Sequence, residues 1–296
     1  MNYRRHLVTA HLVCFGELLW DIYEDGEENI GGAPFNVAAL ASLTGVQTLM
    51  ITAVGTDERG KKIQAAASKK VPLICQVNEH KTGTVKVTRD QHKNPAFLIA
   101  EDAAFDYIAV DSAMTHVCSS AKFFCFGTLA QRHVVSRNTL RNLLKSTKAV
   151  KIYDFNYREG IESWESLFAE SVEMADILKI NEQELELIKI LYKSNESDDM
   201  AVTRLMQHHN LQYVFVTRGE EGASLYSETA VLHRAASEIH VVDTTGCGDA
   251  FTAGIVCSLL KRFDEERMLD YAVELAGKVA GIKGAVPEED DILQRL

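Results

Sequence analysis

The residues best suited to chemistry stand in DTTGCGDAF (243–251), where two carboxylates flank a glycine turn. An apolar run precedes this stretch, and a helical pattern begins at about Cys247. The first N–H groups of a helix lack partners within the helix, and the helix dipole favours negative charge there. Gly246 and Gly248 allow close approach of the backbone, so the stretch predicts an anion hole. Asp249 fits two roles: complementing the dipole, or accepting the proton of a hydroxyl that attacks a bound phosphate.

A second glycine-containing stretch, GGAPFNVA (31–38), begins another helical pattern. Gly31 and Gly32 permit close approach of the backbone, and the Asn36 amide can both donate to and accept from a hydroxyl. Taken alone, Asn36 is suited to capping the helix as well as to binding a polyol.

The elements that must position these stretches follow from apolar runs alternating with amphipathic patterns. This alternation predicts an α/β fold, with a mostly parallel sheet covered by helices on both faces. The predicted strands are 11–16, 47–55, 122–127, 149–155, 176–180, 213–217 and 238–243. The predicted helices are 35–45, 137–146, 182–193, 201–210 and 250–263.

Residues 83–110 have a different pattern. TGTVKVTRD and AFLIAEDAAFDYIAV have β character and are separated by the polar turn QHKNP, which favours an antiparallel hairpin outside the βα alternation. We expect 83–110 and 17–30 to form a small β lid on one domain that spans residues 1–296.

Charge and composition exclude several classes. With 42 acidic and 31 basic residues the net charge is -11, which disfavours a nucleic-acid partner. No apolar run approaches the roughly 20 residues of a transmembrane helix, so we expect no membrane partner. The six cysteines lie mostly in apolar runs without a C-x-x-C pair. Buried, reduced thiols of this kind indicate a cytoplasmic protein.

Together, GGAPFNVA and DTTGCGDAFTAG resemble the two signature regions of the ribokinase-like (PfkB) carbohydrate kinase family. The intervening pieces occur in the family's order: GELLWD (16–21), TGTVKV (82–87), FGTLAQR (126–132), YDFNYR (153–158), DILKINEQE (176–184) and VTRGEEGA (216–223). The resemblance covers essentially the whole chain, and GGAPFNVA, GTLAQR and DFNYR are most similar to the fructokinase branch. It implies a three-layer α/β/α sandwich of ribokinase-like fold with a small β lid.

For the phosphoryl-transfer site, the resemblance implies that Asp249 is the general base and that three backbone N–H groups form the anion hole. Those groups belong to Gly246, Cys247 and Gly248. Asp243 and Thr245 match positions associated with a monovalent cation such as K⁺. Cys247 departs from the alanine common in relatives, and we expect the helix N-terminus to lower the pKa of its thiol and to make it sensitive to oxidants.

For the nucleotide, the resemblance implies that Asn181 and Glu184 organise water around a Mg²⁺ ion that bridges the ATP phosphates, and that Lys179 meets a phosphate. By itself, N-x-x-E is also typical of a helix cap. Thr217, Gly219 and Gly222 match the nucleotide-binding loop, although their spacing also fits a plain hairpin turn.

For the acceptor, the resemblance implies that Asp21, Gly32 and Asn36 bind the sugar. Phe97 on the lid would cover the apolar face of the sugar, or be structural. Asn156 and Arg158 match positions on the acceptor side, and Arg158 fits a surface salt bridge as an alternative.

These residues predict an ATP- and Mg²⁺-dependent sugar kinase with D-fructose as acceptor, acting as a monomer or homodimer. The alternative acceptors are ribose, 2-keto-3-deoxygluconate and a nucleoside. Two alternatives come from other classes: a sugar or nucleotide sensor without catalysis, and a dinucleotide-dependent oxidoreductase. The first would not need Asp249, and the second would need a glycine fingerprint at the first strand that this sequence lacks.

Overall fold

Two β-sheets and their covering helices make up the described part of the chain, residues 10–89, 95–236 and 238–287, in a computed structural model. The strands are β1 (Leu12–Phe15), β2 (Leu19–Tyr23), β3 (Glu28–Gly31), β4 (Thr48–Gly55), β5 (Leu73–Asn78), β6 (Gly83–Arg89), β7 (Pro95–Ile99), β8 (Phe123–Phe126), β9 (Val150–Asp154), β10 (Ile177–Asn181), β11 (Tyr213–Thr217), β12 (Ala223–Tyr226) and β13 (Val231–Arg234). The helices are α1 (Ala33–Leu43), α2 (Glu58–Ala67), α3 (Ser112–Ser120), α4 (Val134–Ser146), α5 (Trp164–Val172), α6 (Glu182–Leu191), α7 (Asp198–His208), α8 (Cys247–Lys261) and α9 (Glu265–Ala280).

The larger sheet has the strand order β13-β12-β11-β10-β9-β8-β1-β4-β5. Its strands pair in parallel from β5 to β11, and β12 and β13 join one edge antiparallel. Strands such as LVCF and FFCF are buried along their whole length, as parallel strands covered on both faces must be. The predicted, mostly parallel sheet is confirmed.

Helices cover both faces of this sheet. Val13 and Phe15 of β1 belong to one apolar cluster, while the alternating Leu12 and Cys14 belong to a second. Since successive side chains of a strand point to opposite faces, the two clusters lie on opposite sides of the sheet. The first contains residues of α3 to α7, and the second contains residues of α1, α2, α8 and α9.

The smaller sheet has the order β3-β2-β6-β7. Antiparallel pairing of β6 with β7 confirms the expected hairpin, and residues 90–94 of its turn lie outside the described residues. The second strand ends at Ile99, so the prediction of β character up to residue 110 was wrong. A 3-10 helix, Ala104–Tyr107, follows instead because the Asp106 carboxylate accepts the Ala103 N–H and closes a turn. The role of this sheet as a lid stays a prediction.

The predicted strand at 238–243 is also wrong. This segment has no sheet partner and runs beside the end of α9, where the N–H groups of Val242 and Asp243 donate to the Ala280 carbonyl at 2.8 and 3.2 Å. Its apolar side chains Ile239, Val241 and Val242 are exposed. Within the ranges described above, no helix is both long and apolar enough to cross a membrane.

Candidate active site

The start of α8 has the backbone that the glycine turn predicts. Gly246 caps the helix with a φ of 81°, and a Cβ at this position would lie 2.6 Å from Ala285. Only glycine tolerates both conditions. The Cys247 N–H makes a long bond, 3.3 Å, to the Thr244 carbonyl, and no side chain caps the helix. The first turn of α8 is therefore the positive end of the helix dipole, and Asp249 lies within this turn.

Asp249 is held by an amide from the other signature region. Asn36 Nδ2 donates to Asp249 Oδ2 at 2.8 Å. Gly32, not Asn36, occupies the cap position of α1, so Asn36 does not act as a helix cap. Burial and the neighbouring Asp154 charge raise the pKa of Asp249 to about 7, against the opposing effects of Asn36, Lys179 and Arg158. This carboxylate can therefore exchange a proton near neutral pH.

Lys179 lies against the same helix start. Its Nζ donates to Asp154 Oδ1 at 3.1 Å and lies 3.0 Å from the place that a Cβ on Gly248 would occupy. Asp154 Oδ2 accepts from Thr252 Oγ1 of α8 at 2.8 Å. Although burial opposes it, the charges of Asp154, Glu184 and Asp249 raise the pKa of Lys179. The ammonium is thus kept charged beside the candidate anion hole.

Asp154 was not predicted as a site residue. The signal available was its place in YDFNYR at the end of β9, next to β10, because carboxyl ends of parallel strands meet at one edge of a sheet. The sequence could not show that Asp154 is buried between Lys179 and Thr252.

On the acceptor side, Asp21 packs against Gly31, and the Glu17 carbonyl packs against Gly32. A Cβ on Gly31 would lie 2.1 Å from Asp21 Oδ2, and one on Gly32, whose φ is 112°, would lie 2.3 Å from the Glu17 carbonyl. Burial raises the pKa of Asp21 to about 6, and the charge of Arg158 opposes the shift. The glycines are required by close packing.

Glu17 is a second residue that the sequence analysis missed. It is 4% exposed, and its Oε2 has no hydrogen-bond partner among the described residues. Burial raises the pKa of Glu17 to about 7, opposed by backbone N–H groups including that of Ala33 and by the charge of Arg158. Its place in GELLWD, four residues before Asp21, was the available signal.

Asn156 and Arg158 line a narrow cavity together with Glu17 and Asp154. Asn156 has a φ of 40°, which turns the chain after β9. Arg158 Nη1 donates to the Tyr157 carbonyl at 3.1 Å, and its charge lowers the pKa of Glu17 as well as that of Asp249. Its charge therefore acts on carboxylates of the candidate site.

The N-x-x-E pair forms a helix cap. Asn181 Oδ1 accepts the Glu184 N–H, and Glu184 Oε2 accepts the Asn181 N–H, both at 2.8 Å. Glu184 Oε1 accepts the Tyr157 N–H at 2.8 Å. Burial raises the pKa of Glu184, while the charge of Lys179 opposes the shift. The capping alternative is thus present in the structure, and a role around Mg²⁺ stays a prediction.

The loop after β11 is a hairpin turn that leads into antiparallel β12. Thr217 ends β11 opposite Asn181 of β10. Gly219 begins a 3-10 turn with a φ of 53°, and Gly222 approaches the Arg234 carbonyl so closely that a Cβ would lie 2.0 Å from it. Nucleotide binding by this loop stays a prediction.

Asp243 supports the glycine turn. Its Oδ1 accepts the Thr245 N–H and its Oδ2 accepts the Gly284 N–H, both at 2.9 Å. Burial opposes ionisation, but these hydrogen bonds and the charge of Lys283 hold the pKa of Asp243 below its usual value. An ionised carboxylate beside the Thr245 hydroxyl is a suitable donor pair for a cation.

Two further predictions have different outcomes. Phe97 lies on β7 opposite Val87, and its side chain lies outside the described residues. For Cys247 the expected low thiol pKa is wrong. Burial and the charges of Asp243 and Asp249 raise the pKa of this thiol to about 11, so they outweigh the helix N-terminus.

A larger cavity of about 540 Å³ lies elsewhere, and Ser197, Arg218 and His233 are among its lining residues. It contains none of the converging carboxylates. We therefore place the candidate active site at Asp249 and not at this larger cavity.

The chain is similar to known carbohydrate kinases over nearly its whole length. Residues 9–291 match the model of the pfkB family of carbohydrate kinases. An uncharacterized sugar kinase from Pyrococcus horikoshii is 27% identical over 313 residues, covering 98% of this chain and 96% of that protein. Its crystal structure superimposes with a TM-score of 0.83 at 26% identity over 96% of each chain, which confirms the ribokinase-like fold.

Two fructokinases are also similar. The Escherichia coli fructokinase is 24% identical over 304 residues, covering 94% of this chain and 96% of that protein. A double mutant of a Vibrio cholerae fructokinase, crystallised with fructose, ADP and potassium ion, shares the fold with a TM-score of 0.79 at 22% identity over 96% of both chains. The family match spans nearly the whole chain, and the protein therefore belongs to the pfkB family of carbohydrate kinases and is a sugar kinase.

Proposed function

We propose that this sugar kinase transfers the γ-phosphoryl group of ATP to a hydroxyl of D-fructose, with Asp249 as the general base. The observation that carries the proposal is the position of Asp249: half-buried in the first turn of α8, hydrogen-bonded to Asn36, and with a pKa raised to about 7. A base that titrates near the working pH is well matched to taking a proton from a sugar hydroxyl.

Groups around Asp249 are suited to the phosphoryl group that is transferred. The first N–H groups of α8 and the Lys179 ammonium lie beside one another, as the contact between Lys179 and Gly248 requires. Fixed donors and positive charge stabilise the negative charge that the transferred group carries in the transition state. Asp154 positions Lys179, and Thr252 ties Asp154 to α8.

Charge on the acceptor side favours a neutral sugar over an acidic one. Three carboxylates, those of the buried Glu17 and the half-buried Asp21 and Asp249, feel the charge of Arg158. A carboxylate or phosphate on the acceptor would add like charge to this group, which disfavours 2-keto-3-deoxygluconate. Glu17 Oε2 and Asn36 Oδ1 are buried without a partner among the described residues, and both can accept from sugar hydroxyls. Similarity to the two fructokinases supports fructose among neutral sugars.

The residues present fit a nucleotide with Mg²⁺. Gly219 and Gly222 add no side chain at either end of the turn after β11. Each Glu184 oxygen keeps one lone pair after accepting a backbone N–H. Glu184 and Asn181 would therefore hold Mg²⁺ through water. Mg²⁺ bound to the phosphates neutralises their charge. Asp243 and Thr245 would bind a monovalent cation, K⁺, and so hold the glycine turn in place.

The test is ADP release with Mg²⁺, with and without K⁺, across D-fructose, D-ribose, 2-keto-3-deoxygluconate and a nucleoside. We expect the highest kcat/KM with D-fructose, and we expect Asp249→Asn to lower kcat by at least ~100-fold. Glu266→Gln is the matched control, because Glu266 is an exposed carboxylate in the first turn of α9. Turnover of no acceptor would contradict the proposal, and an undiminished rate in Asp249→Asn would exclude Asp249 as the base.

A further inference from the structure

Three metal-ligating side chains converge away from the candidate active site. Glu173 follows α5, while His208 ends α7 and His209 follows it. One ligand atom from each residue lies within 4.8 Å of the other two. The ring centroids of His208 and His209 are 4.6 Å apart, and the ring planes are nearly perpendicular.

His209 is held as a metal-binding histidine usually is. Its side chain is 3% exposed; Nδ1 lies 2.7 Å from Glu173 Oε1, and Nε2 lies 2.8 Å from the Tyr192 hydroxyl. Histidines that bind a metal through one nitrogen commonly donate the N–H of the other to an oxygen, which fixes the ring. Tyr192 provides that oxygen.

We propose that Glu173, His208 and His209 form a binding site for Zn²⁺ or a similar divalent transition-metal ion. Two imidazoles and one carboxylate are ligands that Zn²⁺ accepts, whereas Mg²⁺ and Ca²⁺ prefer oxygen donors alone. Three protein ligands leave the fourth tetrahedral position to water. This site goes beyond the proposed kinase activity and does not depend on it.

Binding requires only a small rearrangement. Zn–N and Zn–O bonds of about 2.0–2.2 Å keep donor atoms more than about 3 Å apart, so the Glu173 carboxylate must move away from Nδ1 by a few tenths of an ångström. Its side chain is 62% exposed and free to do so. Without metal, Nδ1–H donates to Glu173 and the Tyr192 hydroxyl donates to Nε2. With metal on Nδ1, the ring proton lies on Nε2, and Nε2–H donates a hydrogen bond to the Tyr192 hydroxyl oxygen. The imidazole and the tyrosine each keep their proton, so the proton count balances.

Charge and composition of the cluster support this use. The cluster combines two imidazoles with one carboxylate, and the Glu173 carboxylate adds a negative charge that favours a divalent cation. A hydrogen bond between Glu173 and His209 alone would join α5 to α7 without any need for His208. His208 adds a third donor at the exposed edge of the same region.

The experiment is titration of the full chain, without nucleotide, with Co²⁺ and then Zn²⁺, followed by visible absorption and calorimetry. We expect one ion per chain and a cobalt spectrum without the thiolate band that the free cysteines would produce. His208→Ala should weaken binding at least ~10-fold. Glu173→Gln should do the same while it keeps an acceptor for His209, and Tyr192→Phe should weaken binding about 10-fold.

His116→Ala is the control, because His116 is exposed on α3 outside the cluster. Each variant's unfolding without metal is measured first, to separate lost ligands from lost folding. The proposal is overturned if the wild-type chain binds no ion in a stoichiometric ratio, if His208→Ala and Glu173→Gln bind as tightly as the wild type, or if the cobalt spectrum is that of a thiolate.

Discussion

Two helices at the candidate active site begin with a carboxylate in the first turn, Glu184 buried and Asp249 half-buried, and the hydrogen bonds of the two carboxylates differ. At α6, both Glu184 oxygens accept backbone N–H groups, and Asn181 caps the helix in return. At α8, Gly246 caps without a side chain, and Asp249 accepts from the Asn36 amide. Backbone donors fix the orientation of the first carboxylate, which in turn stabilises the helix start. The second keeps lone pairs near an open helix end, which suits proton transfer.

The largest expected effect comes from Asp154, which connects the two starts by accepting from Lys179 and Thr252. Asp154→Asn leaves the Lys179 ammonium, 6% exposed, without its ion-pair partner. We expect the free energy of unfolding, measured in urea, to fall by about 3 kcal/mol. Because the Asp154 charge raises the pKa of Asp249, the acid limb of the kcat/KM profile should also move to lower pH.

Asp270→Asn is the control for that variant, since Asp270 pairs with Arg234 at the surface and both side chains are about 40% exposed. An exposed pair is worth at most about 1 kcal/mol. If Asp154→Asn were no more destabilising than Asp270→Asn, Asp154 would not couple the two helix starts.

Glu184→Gln should have the next largest effect. The variant amide can accept only one of the two N–H groups, those of Asn181 and Tyr157, that the carboxylate now accepts. A buried donor left without a partner costs about 1–3 kcal/mol, which thermal or urea unfolding will detect. Glu186→Gln on the same helix, 60% exposed, should change stability by less than about 0.5 kcal/mol. Equal stabilities of the two variants would contradict a structural role for Glu184.

Asp249→Asn should change stability in the opposite direction. The pKa of Asp249 is about 7 in the folded chain and near its ordinary value of 3.8 in the unfolded chain, so between pH 4 and pH 7 the folded state binds the extra proton. The carboxylate therefore lowers stability as pH rises through this range, and fully so above pH 7. We expect Asp249→Asn to be more stable than the wild type at pH 8 by at least about 1 kcal/mol and nearly equal at pH 4. A loss of stability at pH 8 would make Asp249 structural, like Glu184.

The smallest effect concerns Cys247. Since burial raises the pKa of its thiol to about 11, iodoacetamide should label this residue at least ~10-fold more slowly than free cysteine at pH 7.5, as followed by mass spectrometry. Cys247→Ala should keep the wild-type rate, because the proposed contact is made by the N–H. Rapid labelling would show that the helix end outweighs burial.

Sequence patterns predicted six of the seven parallel strands and five of the nine helices in the described ranges, because local apolar periodicity and glycine positions determine them. The predictions did not include β5, α2, α3, α5 and α9. They failed at 238–243, where an apolar run has no sheet edge to join and lies instead beside α9. They also extended the hairpin to residue 110, although Asp106 turns the chain after Ile99. Both errors concern contacts made in the folded chain, which the local periodicity of apolar residues does not reveal.

Site prediction had a similar limit. Gly32 and Gly246 lie too close to another group for a Cβ to fit. They could be recognised from the sequence because only glycine lacks a Cβ. Glu17 and Asp154 were missed although GELLWD and YDFNYR contain them, because a carboxylate gives no local sign that it is buried. The capping bonds of Glu184 were visible only as one of two alternatives, since N-x-x-E fits a helix cap and a metal site equally well.

The hydrogen bond between Asn36 and Asp249 joins residues 213 positions apart. A ribosome therefore completes nearly the whole chain before the two halves of this site exist together. Closing so long a loop is slow compared with forming neighbouring βα units. Recovery of activity during refolding should accordingly be one of the last events, and a nascent chain that stops short of α8 has most of its sheet but lacks Asp249.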